Sequence, residues 1–152
     1  MATIKLNYKI EDKAILQGLR RLERAGGNMR TAFMDIGESM LLSTEDRFNN
    51  QVDPDGRPWV ELADSTRKRK RHTKILSERL ILRGSIEYIP SATQLEWGTR
   101  LQDYSRIHQF GGMAGRGRLV KIPARPYLGI SAADRDLIIR KLEEHYRRAL
   151  NG

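Results

Sequence analysis

The chain has 152 residues, 39% hydrophobic and 31% charged, with a formal net charge of +9 and no cysteine. That length suits one domain with a modest core, and the lack of cysteine excludes disulfides, thiolate chemistry and cysteine-ligated zinc, pointing to a reducing compartment. No apolar run is long enough to span a bilayer, and the opening MATIKLNYKI lacks the basic, apolar and small-residue order of a secretory signal, so no membrane partner is expected.

In chain order, Ile4, Leu6, Tyr8 and Ile10 alternate with polar residues, the pattern of a half-buried strand. Glu11 and Asp12 then open a helix with Ile15, Leu16, Leu19 and Leu22 on one side, and Gly26-Gly27 stop it. Asn28 is placed to cap a second helix reaching Phe48, with Phe33, Ile36, Met40, Leu41 and Phe48 at helical spacing. This rod, about 30 Å long, is the predicted spine. Asp53-Pro54-Asp55-Gly56 fits a type I turn. A calcium loop would need a longer ligand series closing on a glutamate, which is missing. Trp59 is expected to anchor this loop on the core.

Ser65 is positioned to cap a short helix running into five consecutive cations, Arg67, Lys68, Arg69, Lys70 and Arg71. Ser85–Ile89 and Thr93–Trp97 alternate and predict a hairpin around Pro90-Ser91-Ala92, with Gly98 ending its second strand. Asp103 is the expected cap of a short helix through Gln109, on which Tyr104, Ile107 and His108 share one face. GGMAGRGRL is a glycine-rich loop carrying Arg116 and Arg118, and LVKIPARPYLGI is an extended strand broken by Pro123 and Pro126. Ser131 and Asp134 form a variant capping box for a final helix with Ile138, Leu142, His145 and Ala149 on one stripe and Leu137 beside it. Together these elements predict an α+β fold over residues 1–152: a small mixed or antiparallel sheet packed against a long helix and a C-terminal helix, with extended basic loops. Residues 50–74 and 111–119 are expected to be mobile arms.

The charge is unevenly placed. Arg67–Arg125 holds 14 basic and 4 acidic residues, a balance of +10, whereas the remainder holds 14 basic and 15 acidic, a balance of −1. Such a segment attracts nucleic acid or an acidic protein face. Catalytic signatures are sparse. The three histidines, His72, His108 and His145, fall on separate predicted elements, and no Gly-x-Ser-x-Gly elbow or His-Glu-x-x-His pair occurs. No metal or cofactor is expected. His108 could serve as a general base, but the bland reading has it packed beside Tyr104 with a ring nitrogen bonded to backbone. On that reading Tyr104, His108 and Phe110 hold a short helix against the sheet.

The order of motifs adds a further indication. FNNQVDPDGRPW, LADSTRKRK, ILSERLILRGSI, LEWGT, YSRIHQFGG and IPARPYLGIS, followed by a closing helix, resemble the virion morphogenesis, or tail completion, family of Mu-like phages and prophages from Phe33 to Leu150. The resemblance implies a non-enzymatic assembly protein that forms a ring with itself, a hexamer by analogy, and docks on phage tail or neck proteins. It would work in the host cytoplasm during assembly and then in the virion. Arg67, Lys68, Arg69, Lys70, Arg71, Arg116 and Arg118 are the expected contacts with partners or, if the ring surrounds a channel, with DNA. Trp59, Tyr104, His108, Phe110 and Pro126 are the expected structural residues. The competing reading of the charge is a basic nucleic-acid-binding module of another kind.

Overall fold

The computed structural model describes residues 13–24, 28–70, 74–76 and 81–151. The strand expected at Ile4–Ile10, the Gly26-Gly27 stop, Arg71 and His72 lie outside them. The elements are α1 (Lys13–Arg24), α2 (Arg30–Asn50), α3 (Asp64–Arg69), α4 (Ile81–Gly84), β1 (Ile86–Pro90), β2 (Leu95–Thr99), α5 (Asp103–Phe110), β3 (Gly112–Ala114), a 3-10 turn (Arg116–Arg118), β4 (Val120–Ile122) and α6 (Ala132–Asn151). The architecture is α+β, with antiparallel strands, a long helix and a C-terminal helix.

The 21-residue α2 is the spine. The side-chain oxygen of Asn28 accepts the N–H of Arg30 at 2.9 Å, satisfying one free donor of the first turn. At the other end Gln51 adopts a left-handed conformation with φ 56° and donates its N–H to the Arg47 carbonyl. Its side-chain oxygen meanwhile accepts the N–H of Ile75 at 2.6 Å. The buried face of α2 serves two apolar clusters. Its N-terminal half places Ala32, Phe33, Ile36 and Met40 against Ile138 and Leu142 of α6. Its C-terminal end places Phe48 among Trp59, Leu82, Ile86, Tyr127 and Leu128. Trp97 packs against both clusters. Burying one such side chain is worth about 1.5–3 kcal/mol. Helix α1 lies along α6.

Strands β1 and β2 pair antiparallel, with Tyr88 opposite Trp97 and Ile86 opposite Thr99. The hairpin therefore lies one to two residues further along than its alternation predicts, and Gly98 sits inside β2 opposite Glu87 instead of ending it. The connection is tied by Ser91, whose hydroxyl accepts the N–H of Thr93 and of Gln94. The hairpin rests on α2 at Gly37, where a Cβ would stand 2.3 Å from the Tyr88 ring. Only glycine allows that approach.

Two expectations change downstream. The glycine-rich segment is a second ribbon, with β3 pairing β4 antiparallel so that Met113 faces Lys121. Of the predicted strand through LVKIPARPYLGI, only Val120–Ile122 pairs, and residues 123–130 belong to no strand. Pro123 and Pro126 have no N–H to offer a ladder, and much of the backbone there is satisfied by side chains.

Arg47 does much of this. It is 5% exposed and donates to the carbonyls of Tyr127 at 3.0 Å and Gly129 at 2.8 Å. It also pairs with the carboxylate of Asp134 and bonds the Ser43 hydroxyl. The same Asp134 oxygen accepts the N–H and hydroxyl of Ser131, whose hydroxyl in turn accepts the Asp134 N–H at 3.0 Å. The predicted capping box of α6 is thus also the counter-charge for a buried guanidinium. Truncating one member of a buried pair leaves the other uncompensated. Arg47→Met should therefore lower unfolding free energy by about 3–5 kcal/mol, measured as a shifted urea midpoint.

Candidate functional site

The segment Asp103–Gly112 carries α5 into the β3–β4 ribbon, and the basic Arg125 and Lys70 lie near its His108. Helix α5 begins at Asp103 with no side-chain cap at Gln102, so Asp103 contributes first-turn charge in place of the expected cap. It ends at Gly111, whose φ of 74° and whose approach to the backbone of Ala124 both require glycine. The side chains that α5 buries are Ser105 and Gln109. Gln109 works as a substitute strand. Its amide oxygen accepts the N–H of Tyr127 at 3.1 Å and of Leu128 at 3.0 Å, and its amide nitrogen donates to the Leu128 carbonyl at 2.8 Å. Ser105 offers its carbonyl to the hydroxyl of Tyr127, a residue with no exposed surface.

This redistributes the roles expected from the sequence. Tyr104 is 51% exposed and Phe110 59%, so neither is buried as the expected role of holding the helix against the sheet would require. The reason is spacing: the inward face of α5 carries Ser105 and Gln109, four apart. Trp59 does anchor its loop. Its indole N–H donates to the Pro126 carbonyl at 2.7 Å, and its ring meets Phe48 edge-on at 5.4 Å. Trp59 and Pro126, far apart in sequence, form one contact.

His108 is half-buried, with its ring 4.6 Å from that of Tyr104. Its Nδ1 is buried without a hydrogen-bond partner among the described residues, contrary to the expected backbone bond. Its own carbonyl accepts the N–H of Arg125 at 2.7 Å. Desolvation, and then the charges of Arg125 and Lys70, lower the His108 pKa from 6.5 to about 4. Among the described residues no carboxylate orients the ring as in a nucleophile–base pair. Arg125, buried, clamps the chain after Trp59 by donating to the carbonyls of Val60 at 2.7 Å and Glu61 at 2.9 Å.

The predicted contact residues divide into two groups. Arg67, Lys68 and Arg69 lie exposed on α3, which starts at Asp64 after an Ala63 that makes no side-chain cap, so Ser65 is inside the helix and not its cap. Arg67 pairs with Glu61 at 2.7 Å, and the Lys70 ammonium donates to the Lys74 carbonyl at 3.1 Å. Arg116 and Arg118 lie on the turn between β3 and β4, both exposed, with no ion pair among the described residues. Sequence reading passed over Lys121 and Leu119 of the same ribbon, and Leu119 is 82% exposed. It also passed over an open cleft of about 340 Å³ beside α2, lined by Leu41, Thr44, Glu45, Phe48, Arg83, Gly84 and Ile86. Among the described residues no three His, Asp or Glu side chains gather as a metal site, and no helix is long and apolar enough to cross a membrane.

The His108 environment carries a pH signature. Because the folded chain holds the ring neutral, the unfolded chain binds the extra proton between pH 6.5 and about 4. The contribution to stability is complete above pH 6.5, falls as pH drops toward 4 and is flat below. Melting temperatures across that window should slope less in His108→Phe than in the parent chain. Identical slopes would contradict the buried neutral ring.

Comparison with known proteins places this arrangement. Residues 10–147 match the phage virion morphogenesis family. The chain is 31% identical over 149 residues to Mu-like prophage FluMu G protein 2 of Haemophilus influenzae, covering 97% of each chain. It is 27% identical over 157 residues to the putative capsid assembly protein G of Escherichia phage Mu, covering 91% of this chain and 97% of that one. No solved structure matches at a significant level. With the family match extending over nearly the whole chain, from before α1 into the last turns of α6, this protein belongs to the phage virion morphogenesis family.

Proposed function

We propose that the chain is a structural subunit for tail completion or head–tail joining, acting by self-association into a ring and by docking on neighbouring virion proteins, without catalysis. The observation that carries this reading is the family match over residues 10–147 together with an outward ribbon, β3–β4, that combines cations with exposed Met113, Leu119 and Val120. Exposed apolar side chains on a small arm are what a docking element needs. The half-buried His108, near the charges of Arg125 and Lys70 and with no orienting carboxylate among the described residues, supports a packing role for that residue. The phage Mu relative is described as a putative capsid assembly protein, which is compatible with an assembly role at an earlier stage.

The two stages leave different products. Deletion of the gene should yield DNA-filled heads and separate tails that fail to form infectious particles, scored by electron microscopy of lysates. Loss of heads themselves would move the function to capsid assembly, and a normal infectious yield would exclude both.

A second reading has its own support in the exposed cations of α3 and the β3–β4 turn, a surface able to meet phosphates. Binding of a random-sequence duplex across a salt series separates the two. On the assembly reading, the chain at physiological salt binds duplex weakly. Tight, steeply salt-dependent binding by the isolated chain would favour the nucleic-acid module.

A further inference from the structure

The β3–β4 ribbon and the outward face of α2 are complementary surfaces on one chain. The ribbon tip is shaped by Gly115, Gly117 and Arg118, all at positive φ, and closed by a bond from the Arg118 N–H to the Gly115 carbonyl at 3.0 Å. From it Leu119 stands into solvent, flanked by Arg116, Arg118 and Lys121, all exposed and none ion-paired among the described residues. The outward face of α2 shows the opposite sign. Asp35, Glu38 and Asp46 are exposed and likewise form no ion pair among the described residues, and the exposed Met34 and Leu42 lie on the same face. At Glu45 this face runs into the cleft floored by Leu41, Phe48 and Ile86. Across the cleft, a Cβ added at Gly84 would meet nothing within 4 Å.

We propose that the ribbon of one copy docks on the α2 face of the next, with Leu119 seated in the cleft beside Gly84 and the three cations set against Asp35, Glu38 and Asp46. The proposal rests on the self-association reading above and names its interface. Charge complementarity selects the occupant: the sign and number of unpaired charges on the ribbon are matched on a different face of the same chain. A polyanionic backbone would satisfy the cations but leave Leu119 without an apolar seat. Two different patches meeting head to tail give a heterologous contact, the kind that closes into a ring when the rotation allows.

The chain's lack of cysteine makes the test direct. Leu119→Cys and Gly84→Cys both sit at open positions, and the two variants mixed under mild oxidation should form a disulfide-linked heterodimer. Leu119→Cys mixed with Glu144→Cys, an exposed control on α6, should not. In parallel, R116E/R118E/K121E and D35K/E38K/D46K should each lose self-association by about 100-fold, because like charges then oppose across the contact. An equimolar mixture should restore the parent mass in solution, since both contacts between unlike variants are complementary again. A parent chain that stays monomeric at every concentration overturns both this interface and self-association. A parent oligomer with the charge variants unaffected, or with cross-linking no greater than the control, overturns the interface alone.

Discussion

The guanidinium of Arg47 is where the elements of this fold are tied together. It lies on the buried face of α2, donates to two carbonyls of the irregular segment before α6, and shares its counter-ion with the cap of α6 itself. A helix, an unpaired stretch of chain and a helix N-terminus are thereby held by one planar fork, which suits arginine and no other residue. The segment it holds cannot pair as a strand, yet Tyr127 and Leu128 are buried within it. Buried backbone groups need partners, and here Arg47, Gln109 and Trp59 supply them from three separate parts of the chain. The second apolar cluster forms around that arrangement, with Phe48 touching both the Trp59 and the Tyr127 rings.

The same division orders the charge. Part of the basic charge in the middle of the chain is internal or already paired. Arg125 is buried on carbonyls, and Arg67, Arg83 and Arg100 pair with Glu61, Glu45 and Glu87. Among the described residues of that segment, most of what remains for partners lies on α3 and on the β3–β4 ribbon. A count of +10 over the segment therefore overstates the field a partner meets. The location of the unpaired charge, beside an exposed leucine on one face and opposite an acidic helix face elsewhere, says more about binding than its sum.

Legibility from sequence followed the range of each interaction. Helix α2, the β1–β2 hairpin and α6 were readable because apolar spacing and capping act over a few residues. Ser131 and Asp134 could be paired as a cap three residues apart. Arg47 follows Met40 and Thr44 on the same buried spacing, a sign that a polar residue was turned inward, but nothing local names its partners 80 or more positions later. Gln109 was hidden among more conspicuous neighbours. Tyrosine, histidine and phenylalanine drew attention in YSRIHQFGG, while the glutamine between them makes the buried bonds.

By itself the sequence determined the spine helix, the capped last helix, the hairpin, the α+β class and the family, because these depend on periodicity, local hydrogen bonding and the order of short motifs. Only the tertiary structure decided that the proline-broken segment draws on side chains instead of a sheet, that Tyr104 and Phe110 face outward, and that one chain carries both a basic ribbon with a bare leucine and, elsewhere, an acidic helix face. Those outcomes depend on which groups meet after the chain has folded back on itself, and composition and spacing do not carry that information.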